Sequence, residues 1–225
     1  MRSLAIDVGN TRTKVAVFED SVLKSCMICS DGRLPKADYA IASLTGDRPE
    51  WLPSDCLELS ANLKLPVKIN YSTPSTLGPD RIAAASAAWL SCRRHVMIVD
   101  AGTCITVDFV DSDGSYRGGA IMPGLDMKFR ALHNFTARLP LLNIGDAVSD
   151  ATPMGDSTRN SILSGVLCAT RFALKGYEQC LSELIGERVQ VVITGGNADL
   201  LSDDWLIQPH LVMYGMNEIL MMNIA

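Results

Sequence analysis

Three short stretches of the chain carry the residue types that hold a phosphate group: Asp7-Val8-Gly9-Asn10-Thr11, Asp100-Ala101-Gly102-Thr103 and Thr194-Gly195-Gly196-Asn197. Each sets glycine beside small hydroxyl or amide residues. Glycine lets backbone N–H groups come close to a phosphate, and threonine and asparagine add donors. The aspartates at positions 7 and 100 do not bind phosphate themselves; their chemistry is to hold cations that neutralise it. Lys14, just beyond the first loop, has the charge and reach for a β- or γ-phosphate. A fourth stretch, Gly78-Pro79-Asp80-Arg81, places a carboxylate and a guanidinium at the start of an alanine-rich run. Taken alone, a D-x-G loop is a hairpin turn and Asp80 is a helix cap paired with Arg81. The force lies in the combination, which is what a nucleotide held between two related domains requires. The chain has neither G-x-x-x-x-G-K-[ST] nor a strand-borne G-x-G-x-x-G, so it is not a P-loop or Rossmann protein.

The elements that must position these loops are legible from hydrophobic patterning. Ser3 to Asp7 reads as a buried strand, Thr13 to Phe18 as a second, and Val22 to Cys29 as a third in the same meander. Ala37 to Ser43 and Val67 to Asn70 follow as strands. The run Ile82 to Leu90 must be helical, with Pro79 suited to the first turn. His95 to Asp100, Ile105 to Val110 and Tyr116 to Ile121 read as strands, and Gly124 opens a helix to about Thr136. A long helix is expected over Ser157 to Ile185, a buried strand over Val189 to Thr194, and a closing helix over Gly215 to Met222. Ile6-Asp7-Val8-Gly9-Asn10-Thr11 is echoed by Val99-Asp100-Ala101-Gly102-Thr103, 93 residues later. That period predicts two similar α/β halves, 1–94 and 95–225, and is too long for a solenoid.

Composition narrows the function. Hydrophobic residues make up 48% of the 225 residues and charged residues 20%, so the chain is globular. The net charge of −5 argues against a nucleic-acid partner and against docking to an anionic membrane. The longest apolar runs, Ile82 to Cys92 and Asn160 to Thr170, fall short of the ~20 residues that span a bilayer. Asp7 interrupts the N-terminal apolar run too early for a signal peptide. The seven scattered cysteines read as reduced thiols of a cytoplasmic protein. Cys26 and Cys29 form one C-x-x-C, but on a strand and without a second pair, so neither a zinc site nor a redox motif is expected. His95, His133 and His210 are isolated and read as structural.

The phosphate loops, Gly78-Pro79-Asp80-Arg81 and Gly118-Gly119-Ala120-Ile121-Met122-Pro123-Gly124 occur in one order from residue 7 to about 197. Together they resemble the type III pantothenate kinases, a family of the actin-like, sugar-kinase-like ATPase superfamily. The resemblance implies two duplicated ribonuclease-H-like domains with mixed central sheets and a nucleotide cleft between them. It implies ATP-dependent phosphorylation of pantothenate to 4'-phosphopantothenate, the first step of coenzyme A biosynthesis, with K+ or NH4+ and Mg2+, in a homodimer. By the same resemblance Asp7, Val8, Gly9, Asn10, Thr11, Arg12, Thr13, Lys14 and Thr103 contact ATP, and Asp100 holds the monovalent cation. Tyr71, Gly78, Pro79, Asp80, Arg81 and Thr158 contact pantothenate, with Asp80 as catalytic base and Thr158 reaching the partner subunit's substrate. Asp156 and Ser157 stand where the family has arginine and asparagine, and Cys104 where a small residue is usual. The competing expectations are a sugar or carboxylate kinase of the same superfamily, and a nucleotide-binding regulator that has lost catalysis.

Overall fold

Strands β1 (Arg2–Val8), β2 (Thr13–Glu19) and β3 (Val22–Cys29) form the expected antiparallel meander, with Asp7 opposite Lys14 and Val15 opposite Met27. The structure is a computed structural model that describes residues 1–9, 11–146, 151–202 and 204–224. Strand β4 (Tyr39–Leu44) lies parallel to β1, and the short β5 (Leu57–Glu58) parallel to β4, giving a mixed sheet of order β3-β2-β1-β4-β5. Leu4, Ile6, Val15, Val17, Ala42, Leu52 and Cys56 form a buried cluster on this sheet. β1 and β2 each bury four consecutive residues, so they read from sequence as short continuous apolar runs.

A second mixed sheet contains β6 (Lys68–Ile69), β7 (Val96–Ala101), β8 (Cys104–Val110), β9 (Ser115–Pro123), β10 (Gln190–Thr194) and β11 (Leu206–Ile207). Its order is β11-β10-β7-β8-β9-β6. With β6 set aside, β9-β8-β7-β10-β11 repeats the first order strand for strand. The echo of Asp7 by Asp100 is therefore an echo of position: both stand near the ends of corresponding strands, β1 and β7.

Helix α1 (Pro79–Cys92) begins with Pro79 after Gly78 and ends where Arg93 turns left-handed at φ 51°. Proline at a helix start loses no hydrogen bond, since the first N–H groups have no partner within the helix. The remaining helices are α2 (Leu125–Asn134), α3 (Thr158–Leu163), α4 (Ala169–Ile185), α5 (Ala198–Leu201) and α6 (Leu211–Ile224). The single long helix expected over Ser157 to Ile185 is interrupted by a π-helical turn, Ser164–Cys168, between α3 and α4. The closing helix starts four residues before Gly215, at Leu211.

By contact the chain forms two compact units. The first combines Met1–Val96 with Asp108–Gly118 and the C-terminal segment from His210 on; the second combines Met97–Val107 with Gly119–Pro209. In the first unit α6 lies against α1 so closely that a Cβ on Gly215 would stand 1.9 Å from the Ala83 carbonyl oxygen. Buried Asn217 of α6 accepts from Ser3 Oγ at 2.7 Å and donates to the Asp20 carbonyl at 3.1 Å, which ties the helix to β1. Among the described residues no helix is long and apolar enough to cross a membrane. All seven cysteines are free.

Candidate active site

In the first unit the carboxyl of Asp7 gathers three groups. Lys14 faces it across the antiparallel ladder, and buried Ser43 flanks it on β4. Asp80, in the first turn of α1, is the third. Burial first, and Asp80 second, push the Asp7 carboxyl above the ordinary aspartate range, while Lys14 and Ser43 pull it back. The loop after Asp7 is tight: Gly9 N–H donates to the Arg12 carbonyl at 3.2 Å, and Thr45 Oγ1 donates to the Val8 carbonyl at 2.8 Å. Thr11 and Arg12 are exposed, and Thr13 and Lys14 are half-buried. Asn10 lies outside the described residues. Asp80 accepts the Arg81 backbone N–H at 2.9 Å, and a Cβ on Gly78 would fall 2.5 Å from its Oδ1. Glycine at position 78 thus leaves the Asp80 carboxylate room to sit over the helix start.

Asp80 thus takes the Arg81 backbone N–H, while the Arg81 guanidinium turns to Asp108. Its Nε and Nη2 donate to Asp108 Oδ1 at 3.0 and 2.6 Å, and Tyr116 also donates its hydroxyl to Asp108. Arg81, Asp108 and Tyr116 are all buried. Burial works to lower the pKa of Arg81, but Asp108's hydrogen bonds and charge outweigh it and hold the guanidinium protonated. Tyr71 completes the group, its ring edge-on to Tyr116 at 6.0 Å.

In the second unit three loops meet. A Cβ on Gly195, whose φ is +95°, would lie 2.6 Å from both the Ala101 carbonyl carbon and Asp100 Oδ1. A Cβ on Gly124 would lie 2.2 Å from the Thr103 carbonyl oxygen. The Gly124 N–H donates to that oxygen at 3.1 Å, and the Asn197 N–H donates to the Ala101 carbonyl at the same distance. The aspartate-bearing turn, the helix-opening loop and the Gly-Gly-Asn loop therefore form one backbone-lined corner around Asp100 and exposed Thr103. Glycine is required because backbone packs on backbone. Thr158 lies elsewhere in this unit, exposed in the first turn of α3, whose N-cap Ser157 accepts the Asn160 N–H. A cleft of about 380 Å³ opens there, lined by Ala151, Thr152, Met154, Asp156, Arg159 and Asn160 among others. Among the described residues no group of three or more His, Cys, Asp or Glu side chains is arranged to hold a metal ion.

The family profile described as type III pantothenate kinase matches residues 34–179. The chain belongs to the type III pantothenate kinase family. It is 36% identical over 244 residues to the type III pantothenate kinase of Phocaeicola vulgatus, covering 98% of each chain. It is 37% identical over 243 residues to that of Christiangramia forsetii, again with 98% of each chain covered. Among solved structures it resembles a Baf family protein from Campylobacter jejuni, with a TM-score of 0.66 at 21% identity and 96% of each chain covered. It also resembles a ROK family protein from Streptococcus pneumoniae crystallised with sucrose, with a TM-score of 0.56 at 14% identity over 98% of each chain. These structures share the fold, the two-sheet α/β architecture of the sugar-kinase-like ATPases.

For a type III pantothenate kinase the sequence reading misses Asp108 and Tyr116. No motif contains them, and the partner that gives Asp108 its meaning stands 27 residues away. The available signal is a carboxylate in the middle of the apolar strand Ile105 to Val110, a position that demands a buried partner.

Proposed function

We propose that this chain transfers the γ-phosphoryl group of ATP to the primary hydroxyl of pantothenate, forming 4'-phosphopantothenate in the first step of coenzyme A biosynthesis. Family membership supports the reaction, and one arrangement carries the site: Asp7 lies within electrostatic reach of both Lys14 and Asp80. Phosphoryl transfer through a loose transition state asks for an oriented hydroxyl, phosphate charges matched by cations, and a proton acceptor needed only late. Asp80, held at the start of α1, orients the hydroxyl and accepts its proton. Lys14 and the loop from Val8 to Thr13, with Thr103, hold the phosphates. Tyr71, Gly78, Pro79 and Arg81 hold pantothenate, with Thr158 offered by the partner subunit.

The donor sets suit hard cations. A buried carboxyl beside a second carboxylate is relieved by a divalent ion, and every donor is oxygen. Asp7 would hold Mg2+, and Asp100 would hold K+ or NH4+. When bound, these ions neutralise phosphate charge. The same reading has the enzyme acting as a cytoplasmic homodimer whose chain consists of two related halves, 1–94 and 95–225.

The test is an assay with ATP, Mg2+ and K+, offering pantothenate alongside a panel of sugars. Phosphopantothenate is the expected product. Asp80→Asn is expected to lower kcat by about 10²–10⁴-fold while calorimetry still records ATP binding. Exchanging K+ for Na+ is expected to slow turnover. Phosphorylation of a sugar in place of pantothenate overturns the reading.

A further inference from the structure

The guanidinium of Arg81 has five N–H donors in a planar fork. Asp108 takes the donors on Nε and Nη2, with Nε also 3.3 Å from Oδ2. Tyr116 donates its hydroxyl to the same Oδ1 of Asp108, and the Tyr71 ring packs edge-on against Tyr116. The Arg81 side chain keeps only 8% of its surface exposed and that of Asp108 1%. A fork gripped at two nitrogens cannot turn without leaving a buried charge unpaired, which is strongly destabilising. Yet a buried ion pair is a poor stabiliser, since apolar residues of similar volume do as well. The fold therefore gains little stability from this pair that packing would not supply. What it gains is a fixed orientation for a planar donor, and recognition of a planar carboxylate depends on that orientation.

We propose that Asp108 is a positioning residue for substrate recognition: it holds Arg81 in the one arrangement that receives the carboxylate of pantothenate. The proposal rests on the pantothenate kinase reading above. Asp108 touches neither substrate nor nucleotide in this role; it acts through Arg81, so its loss falls on acid binding and spares phosphoryl transfer. Outer partners that orient a binding group carry effects of about 10–100-fold in affinity.

The experiment compares wild type, Asp108→Asn, Arg81→Lys and the double variant, with KM for pantothenate, KM for ATP, kcat and melting temperature measured for each. Wild-type turnover of pantothenate tests the reaction itself, independently of the comparison. Asp108→Asn is expected to raise KM for pantothenate about tenfold or more, with kcat and KM for ATP within threefold of wild type. In the Arg81→Lys background the same change is expected to add little, because the fork that Asp108 orients is gone. A folded Asp108→Asn enzyme with unchanged KM for pantothenate overturns the proposal. So does a full additive effect in the Arg81→Lys background. Should Asp108→Asn not fold, Tyr116→Phe serves in its place, because it removes one hydroxyl and leaves the ion pair. A severalfold rise in KM for pantothenate that vanishes with Arg81→Lys supports the proposal, and an unchanged KM or an equal rise in both backgrounds sinks it.

Discussion

Asp7 holds its place against its own electrostatics. Burial and Asp80 raise its pKa above the unfolded value, so the folded state binds a proton there more readily than the unfolded chain. The contribution to stability is therefore fully present below the ordinary aspartate range and is lost as pH rises through the folded value. At neutral pH the ionised carboxylate is a net cost to the fold. Asp7→Asn is accordingly expected to raise the melting temperature at pH 7 to 8, with the gain shrinking toward pH 4, while abolishing phosphoryl transfer. Thermal melts of both proteins across that range check it, and a variant less stable than wild type at pH 8 contradicts it. Asp7, Asp80 and Asp100 were legible because each stands in a glycine-bearing motif. Asp108 was not, because its chemistry comes from a partner distant in sequence. Cys26 and Cys29 lie on β3, the strand expected there, three positions apart where the chain alternates faces.

At the scale of elements, the least legible feature is the one that fixes α1. Read by propensity, Gly215 begins a helix; in the structure it is the fifth residue of α6, at the point where that helix meets α1. Tertiary contact overrides propensity because only a residue without Cβ lets the two backbones touch. Gly215→Ala forces the helices apart and is expected to cost about 3 kcal/mol, a fall in melting temperature of roughly 6–12 °C. Because α1 carries Asp80 in its first turn, kcat is expected to fall as well. A thermal melt indistinguishable from wild type rules this contact out. The π-helical turn at Ser164–Cys168 was equally hidden, since its hydrogen bonds differ from those of an α-helix but its apolar pattern does not. Buried Thr170 supports it by donating from Oγ1 to the Val166 carbonyl at 2.5 Å.

At the scale of the whole molecule, the repeated strand order was legible as two aspartate-tipped echoes, and the fold class followed from them. The return of the last helix to the first unit was not, because sequence patterning shows that a helix is apolar but not which helix it covers. Leu211, Met213, Met216, Ile219 and Leu220 of α6 are buried, as are Ile82 and five alanines of α1. A chain ended after Pro209 leaves that face of α1 open to water. It is expected to lose cooperative unfolding in calorimetry, together with activity, and a truncated chain that melts as wild type does contradicts the assignment.

That returning helix also sets a schedule. A ribosome releases α1 more than a hundred residues before α6, a delay on the order of ten seconds at ordinary elongation rates. Throughout that interval the nascent polypeptide displays a bare alanine-rich ridge on which Asp80 is already mounted but not yet fixed, a surface suited to chaperone capture. The Asp80 carboxylate thus acquires its final setting only when translation has passed the last strand.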